Sequence, residues 1–134
     1  MNQNRIAVFG GYEGNSDDGF VGTPSAATWT DEGNDWDDVG VDMVEPRLLA
    51  TATTVPRLGI VVAGGSQDDP TASMELYVDE DDSFIALPPL RHARLAHNAV
   101  ALLDGRVLFI GGDGGDSTQT VPLAQAELLG PQPE

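Results

Sequence analysis

The sequence predicts an all-β protein built from a repeated four-stranded antiparallel unit. Three observations carry that expectation. A short apolar run closed by a glycine pair occurs three times, IAVFGG at 6–11, IVVAGG at 60–65 and VLFIGG at 107–112. The flanks of these runs align with one another without gaps. Glycine (16) and proline (9) punctuate the 134 residues so often that no segment keeps a convincing helical apolar period.

The elements follow in order. The runs at 6–9, 60–63 and 107–110 are continuously apolar and four residues long, as expected of strands covered on both faces. The stretch 46–65 aligns on 93–112, which sets Arg47 on Arg94, Ala50 on His97 and Gly65 on Gly112. Strands are therefore expected at 48–55 and 95–103, and Asp104-Gly105 supplies a strong hairpin turn before the third run. The stretch 26–39 aligns on 74–87, setting Trp29 on Tyr77, Asp31 on Asp79 and Trp36 on Phe84, while 124–129 stands where 72–77 stood. Glu75 and Glu127 then share one repeat position. Strands are expected near 26–30, 73–78 and 124–129. Outer strands near 36–44 and 83–87 follow acidic turns. The count is ten strands, in units at about 5–45, 46–90 and 91–130, with 131–134 as a tail.

A glycine pair after an apolar strand, an aromatic residue further on, a second aromatic seven residues later and an arginine before the next unit resemble the kelch motif. The segment 93–112 is similar to bacterial kelch proteins of the galactose-oxidase-like type. The resemblance implies an incomplete kelch β-propeller of antiparallel four-stranded blades. Gly10, Gly11, Gly64, Gly65, Gly111, Gly112, Trp29, Trp36, Tyr77, Phe84 and His97 would be its structural residues. Ala50 departs from it where a histidine is usual, and Leu129 where an aromatic is usual. At roughly 50 residues per blade the chain makes fewer than three, against the roughly four to eight of a closed ring. An open stack leaves an apolar sheet face at each end. The expectation is a fragment of a larger propeller, or a ring completed by oligomerisation or by a partner.

Composition narrows the chemistry. There are 22 acidic and 6 basic residues, a formal charge of -16. Phosphate-mediated nucleic-acid binding and adsorption to anionic membranes both need a basic surface that is missing here. No cysteine is present, which excludes disulfides and thiolate zinc sites. It also excludes the cysteine-crosslinked tyrosine on which the copper–radical oxidases of the resembled type depend. Apolar runs of about six residues are far shorter than the roughly 20 of a membrane-spanning helix. The first ten residues hold no signal-peptide core, so the expected localisation is cytoplasmic by default.

The candidate binding residues are Tyr12 and Phe20 as aromatic anchors in the first long loop, and Arg91, His92 and Arg94 near the mouth of the expected ring. His97 is expected to make a structural hydrogen bond within or between blades. Aspartates cluster at 31–38 and 79–82. They read as solvated turns, with calcium as the alternative, since calcium needs six to eight oxygens around a defined turn. No catalytic residue, metal site or resident cofactor is assigned. The functional expectation is a non-catalytic module that binds a protein or a glycan, or itself through the open faces. The alternative is a piece of a sugar-active propeller enzyme, oxidase-like or mutarotase-like, using Arg47, Arg91, Arg94 and His97.

The expected loops at the two ends of the blades carry seven acids each, which argues for a general surface property rather than one cation site. With no lysine, and aspartate outnumbering glutamate 15 to 7, the composition resembles that of halophile proteins. Molar neutral salt should then raise the thermal unfolding midpoint by screening self-repulsion. A midpoint that falls with salt would contradict this.

Overall fold

The computed structural model describes residues 5–66 and 68–130, so the expected tail at 131–134 lies outside the described residues. The chain is all-β, with twelve strands and no helix among the described residues. They are β1 (Arg5–Phe9), β2 (Tyr12–Asn15), β3 (Gly19–Gly22), β4 (Ala26–Thr30), β5 (Asp35–Asp38), β6 (Thr51–Val55), β7 (Gly59–Ala63), β8 (Met74–Val78), β9 (Ser83–Leu87), β10 (Asn98–Ala101), β11 (Val107–Ile110) and β12 (Ala126–Leu129). Three antiparallel sheets have the orders β1-β4-β5, β6-β7-β8-β9 and β10-β11-β12, and β2 and β3 form a separate hairpin.

The sheets repeat one register. Ile6 pairs with Trp29 and Trp29 with Trp36, while Ile60 pairs with Tyr77 and Tyr77 with Phe84. In the third sheet Val107 pairs with Leu129. Successive side chains point to opposite faces of a strand, so each run offers residues one and three to one side and residues two and four to the other. In β1 the second side carries Phe9, whose ring lies 5.2 Å from Tyr77 and 6.0 Å from Phe84, both edge-on. In β7 it carries Val61 and Ala63, which join Met74, Leu76, Val55 and Leu90 in a core shared with Val107 and Phe109 of β11. The middle sheet is thus covered on both faces, which explains why its run is apolar throughout. Each large apolar side chain buried this way contributes about 1.5–3 kcal/mol.

The outer sheets are covered on one face only. Ile6 and Val8 remain 54% and 51% exposed at one end, and Ile110 and Leu128 44% and 46% at the other.

Three local expectations need correction. The stretch 12–24, expected as a loop, contains the β2–β3 hairpin, whose turn is tied by the Asn15 side chain accepting from the Asp17 and Asp18 N–H groups. The outer strand expected at 36–44 ends at Asp38. Gly40 turns the chain at φ +73°, and Met43 leaves the sheet to donate its N–H to Pro24 O and bury its side chain. The strands expected at 48–55 and 95–103 begin only at Thr51 and Asn98. Leu48 and Leu95 first exchange a pair of hydrogen bonds with Ser66 and Asp113, and Leu49 and Ala96, equivalent in the repeat, then kink the chain at φ +56° and +51°.

The glycine pairs mark where consecutive sheets touch. A Cβ built on Gly10 would lie 2.4 Å from Arg47 O, and one on Gly64 2.4 Å from Arg94 O, whereas one on Gly111 meets nothing closer than Leu123 O at 3.8 Å. All three have φ between +62° and +67°, a region that costs a residue with a Cβ about 1–2 kcal/mol. Gly111→Ala should therefore cost about that much in urea unfolding. Gly64→Ala should cost at least about 2 kcal/mol more, because the main chain of the next sheet must also move. Equal losses would show that the close approach at Gly64 does not exist.

Candidate functional site

The strongest polar features of the molecule are two buried arginine–glutamate pairs at equivalent places. Arg47 lies in the segment leading to β6, and its side chain is fully buried. Its guanidinium donates to Gly64 O at 2.7 Å, to Ser73 O and Oγ, and to the Glu75 carboxylate at 2.9 Å. Arg94 repeats this arrangement in the third sheet, with Gly111 O at 2.7 Å, Gln125 O at 3.2 Å and the Glu127 carboxylate at 2.7 Å. The main chain of the same arginines reaches the preceding sheet. Gly11 N–H donates to Arg47 O at 2.9 Å and Gly65 N–H to Arg94 O at 2.8 Å. Each arginine therefore ties its own sheet together through its side chain and joins it to the previous sheet through its carbonyl. Ala27 occupies the corresponding place in the first sheet, opposite Val8 as Glu75 is opposite Val62 and Glu127 opposite Phe109.

This arrangement corrects the expectation for Arg94. With a side chain 0% exposed and its charge met by Glu127, Arg94 cannot reach a ligand in solution. Arg47 is equally enclosed, which removes it from the alternative catalytic set. Arg91 and His92 are exposed, at the start of the same segment. Their N–H groups both donate to the Glu127 carboxylate, and His92 Nδ1 lies 3.4 Å from it. Arg91 borders a groove of about 380 Å³ with Pro88, Pro89, Leu90 and Leu128. Burial pushes the Glu127 carboxyl upward, but the Arg91 N–H, the Arg94 guanidinium and the His92 N–H outweigh it and hold Glu127 below the usual glutamate range.

His97 follows the third-sheet arginine and is buried. Its Nε2 lies 2.8 Å from Thr51 Oγ1 of β6, so it links the second and third sheets, and among the described residues its Nδ1 has no hydrogen-bond partner. The ring is wedged between glycine pairs. A Cβ on Gly64 would come within 2.8 Å of its Cε1, and one on Gly112 within 2.8 Å of its Cβ. Ala50, the equivalent residue, meets Gly65 in the same way. Burial first, and the nearby Arg94 charge second, push the His97 imidazole down to about 4.

The first and second sheets share a further tie that the sequence reading missed. Arg5 of β1 donates to Asp79, to Asp82 Oδ1 at 2.8 Å and to Thr28 Oγ1 at 3.1 Å, and the Tyr77 hydroxyl donates to Asp82. The Tyr77 bond, with the Arg5 guanidinium, holds the Asp82 carboxyl below its ordinary value despite partial burial. Arg5, Thr28, Asp79 and Asp82 line a cleft of about 350 Å³ with Asp31, Glu32, Asp37 and Asp38. The acidic turns at 31–34 and 79–82 occupy the same repeat position and end in residues with φ +50°, Asn34 and Asp82. The signal was available, since Arg5 is the one basic residue ahead of the first run. Among the described residues no cluster of three His, Asp or Glu is arranged to hold a metal ion.

Tyr12 and Phe20 do come together. They sit on opposite strands of the β2–β3 hairpin with ring centroids 4.9 Å apart, edge to face, and each is about 60% exposed. Trp36 is exposed on the open face of the first sheet, whereas its equivalent Phe84 packs between Phe9 and Tyr77. No protein-family model matches the chain, and no curated protein matches it.

His97 gives a pH dependence with a defined sign. Its folded pKa of about 4 lies below the ordinary 6.5, so the unfolded chain binds the extra proton first. Its contribution is fully present above pH 6.5 and is lost as pH falls toward 4, about 3 kcal/mol in all. His97→Gln should flatten unfolding free energy across that window. An unchanged slope in the variant would show that His97 is not the group responsible.

Proposed function

We propose that the chain is a non-catalytic interaction module of the kelch type, an incomplete β-propeller whose three stacked sheets are three blades. The observation that carries this reading is the fate of the charged groups that could have done chemistry. Arg47 and Arg94 are enclosed and neutralised by Glu75 and Glu127, and His97 is buried against Thr51. Of the residues the catalytic alternative would use, Arg91 alone stays exposed, beside the groove at Pro88–Leu90. What the fold presents to solvent is a two-stranded hairpin on which Tyr12 and Phe20 form an exposed edge-to-face pair. Aromatic rings held in this way give contact area at low entropic cost, as binding anchors do.

The ligand class is a glycan or a protein surface, with Tyr12 and Phe20 as the anchors. Arrayed glycans and immobilised candidate proteins should bind the native chain. Tyr12→Ala/Phe20→Ala should lose at least about tenfold in affinity while keeping the same unfolding midpoint. Catalysed mutarotation or oxidation of an aldose by the purified chain, followed by polarimetry or oxygen uptake, would overturn the reading.

A further inference from the structure

The two open faces of the stack are of opposite kinds, and inside this chain those two kinds already fit each other. Call the first kind the head, formed by residues one and three of each apolar run with the cross-strand aromatic pair. The tail is formed by residues two and four. At the first internal junction the tail residue Phe9 seats on the head pair Tyr77 and Phe84. At the second, the tail residues Val61 and Ala63 seat on head residues Val107 and Phe109, with Leu129 beside them. Two surfaces are left over. One is a head, with Ile6, Val8, Trp29 and Trp36 on the first sheet, and the other a tail, with Leu108, Ile110 and Leu128 on the third.

We infer that the tail of one chain docks on the head of a second copy, placing Ile110 on the Trp29–Trp36 pair as Phe9 is placed on Tyr77–Phe84. The inference rests on reading the sheets as propeller blades. The occupant is a second copy because both halves of a junction twice realised in the molecule are carried, unused, by the same chain. Such a contact is heterologous, and heterologous contacts close into rings when the rotation per unit permits. Two chains bring six sheets, inside the roughly four to eight of closed propellers. The tail side chains Val100, Leu108, Ile110 and Leu128 bring no charge to the junction; the head brings one exposed carboxylate, Asp38, on the face of Val8 and Trp36, and salt screens its repulsion together with that of the net charge of -16.

The new junction differs from the internal ones in one respect. Gly111 and Gly112 hold φ +67° and +93°, close to the +62° and +81° of Gly64 and Gly65, yet among the described residues no arginine carbonyl accepts from Gly112 N–H. The first sheet of a second copy begins at Arg5 and has no equivalent of Arg47 among its described residues.

Sedimentation velocity in molar salt tests this directly. The native chain should convert with concentration to a species of twice its 14.1 kDa mass, with nothing larger accumulating. Trp36→Glu, which spoils the head, and Ile110→Asp, which spoils the tail, alter exposed side chains. Each should leave the unfolding midpoint nearly unchanged and weaken dimerisation at least about a hundredfold. Mixed together, the two variants should associate one to one more tightly than either does alone but less tightly than the native chain, because one junction is intact and the other carries both substitutions. A native chain that stays monomeric, or open-ended aggregation, or a mixture that associates no more tightly than either variant alone, would overturn the inference. Ligand binding through Tyr12 and Phe20 is read separately from mass, so failure of assembly and failure of the binding reading are distinguishable.

Discussion

The arrangement of the whole molecule depends on an arginine that is used from both ends. Its guanidinium is spent inside its own sheet, on a glycine carbonyl, the main chain of the third strand and a glutamate. Its carbonyl is given to the glycine pair of the preceding sheet. Burying an ion pair is not in itself strongly stabilising, since desolvation offsets the attraction. Breaking one by removing a single partner commonly costs about 3–5 kcal/mol. The pair therefore acts chiefly as a specification of register. It allows one depth of approach between consecutive sheets, and glycine is required opposite the arginine carbonyl because a Cβ there would lie 2.4 Å from the oxygen. The first sheet is consistent with this logic. Its glutamate position holds Ala27, so no buried carboxylate is left there without a cation.

Once the sheets are fixed in this way, the distribution of surface follows. The middle sheet loses both faces to packing, and each outer sheet keeps one. The two arginine–glutamate locks lie inside, while the acidic turns, the apolar faces at the ends and the β2–β3 hairpin at the side are exposed. The proposed binding and assembly roles rest on that division. Of the four groups that suggested catalysis in the sequence, Arg47, Arg94 and His97 hold the sheets together and Arg91 is exposed.

Much of the fold was legible because it is repeated. The run at 60–63 gains meaning from its two other copies, and the aromatic pair Tyr77–Phe84 and Arg47 each from one, Trp29–Trp36 and Arg94. What was illegible lies where the copies differ. The hairpin at 12–22 lies in the loop after the first glycine pair, and all of its strand residues but Gly22 are exposed, so no buried face imposes an alternating pattern on them. The kinks at Leu49 and Ala96 are a property of the backbone, and neither residue type announces a left-handed conformation. The position of Arg94 was identified, but whether a repeat arginine faces inward or outward depends on a carboxylate some thirty residues away. Glu127 was seen to match Glu75, yet nothing in the spacing shows that both turn toward their arginines.

The central claim is that arginine carbonyls pin the glycine pairs, and amide hydrogen exchange at three glycines tests it most directly. Gly11 and Gly65 donate to Arg47 and Arg94, whereas among the described residues Gly112 has no such acceptor. The account predicts strong protection at Gly11 and Gly65 and fast exchange at Gly112, within one sample and one fold. Fast exchange at all three, or protection at Gly112 equal to that at Gly65, would contradict it.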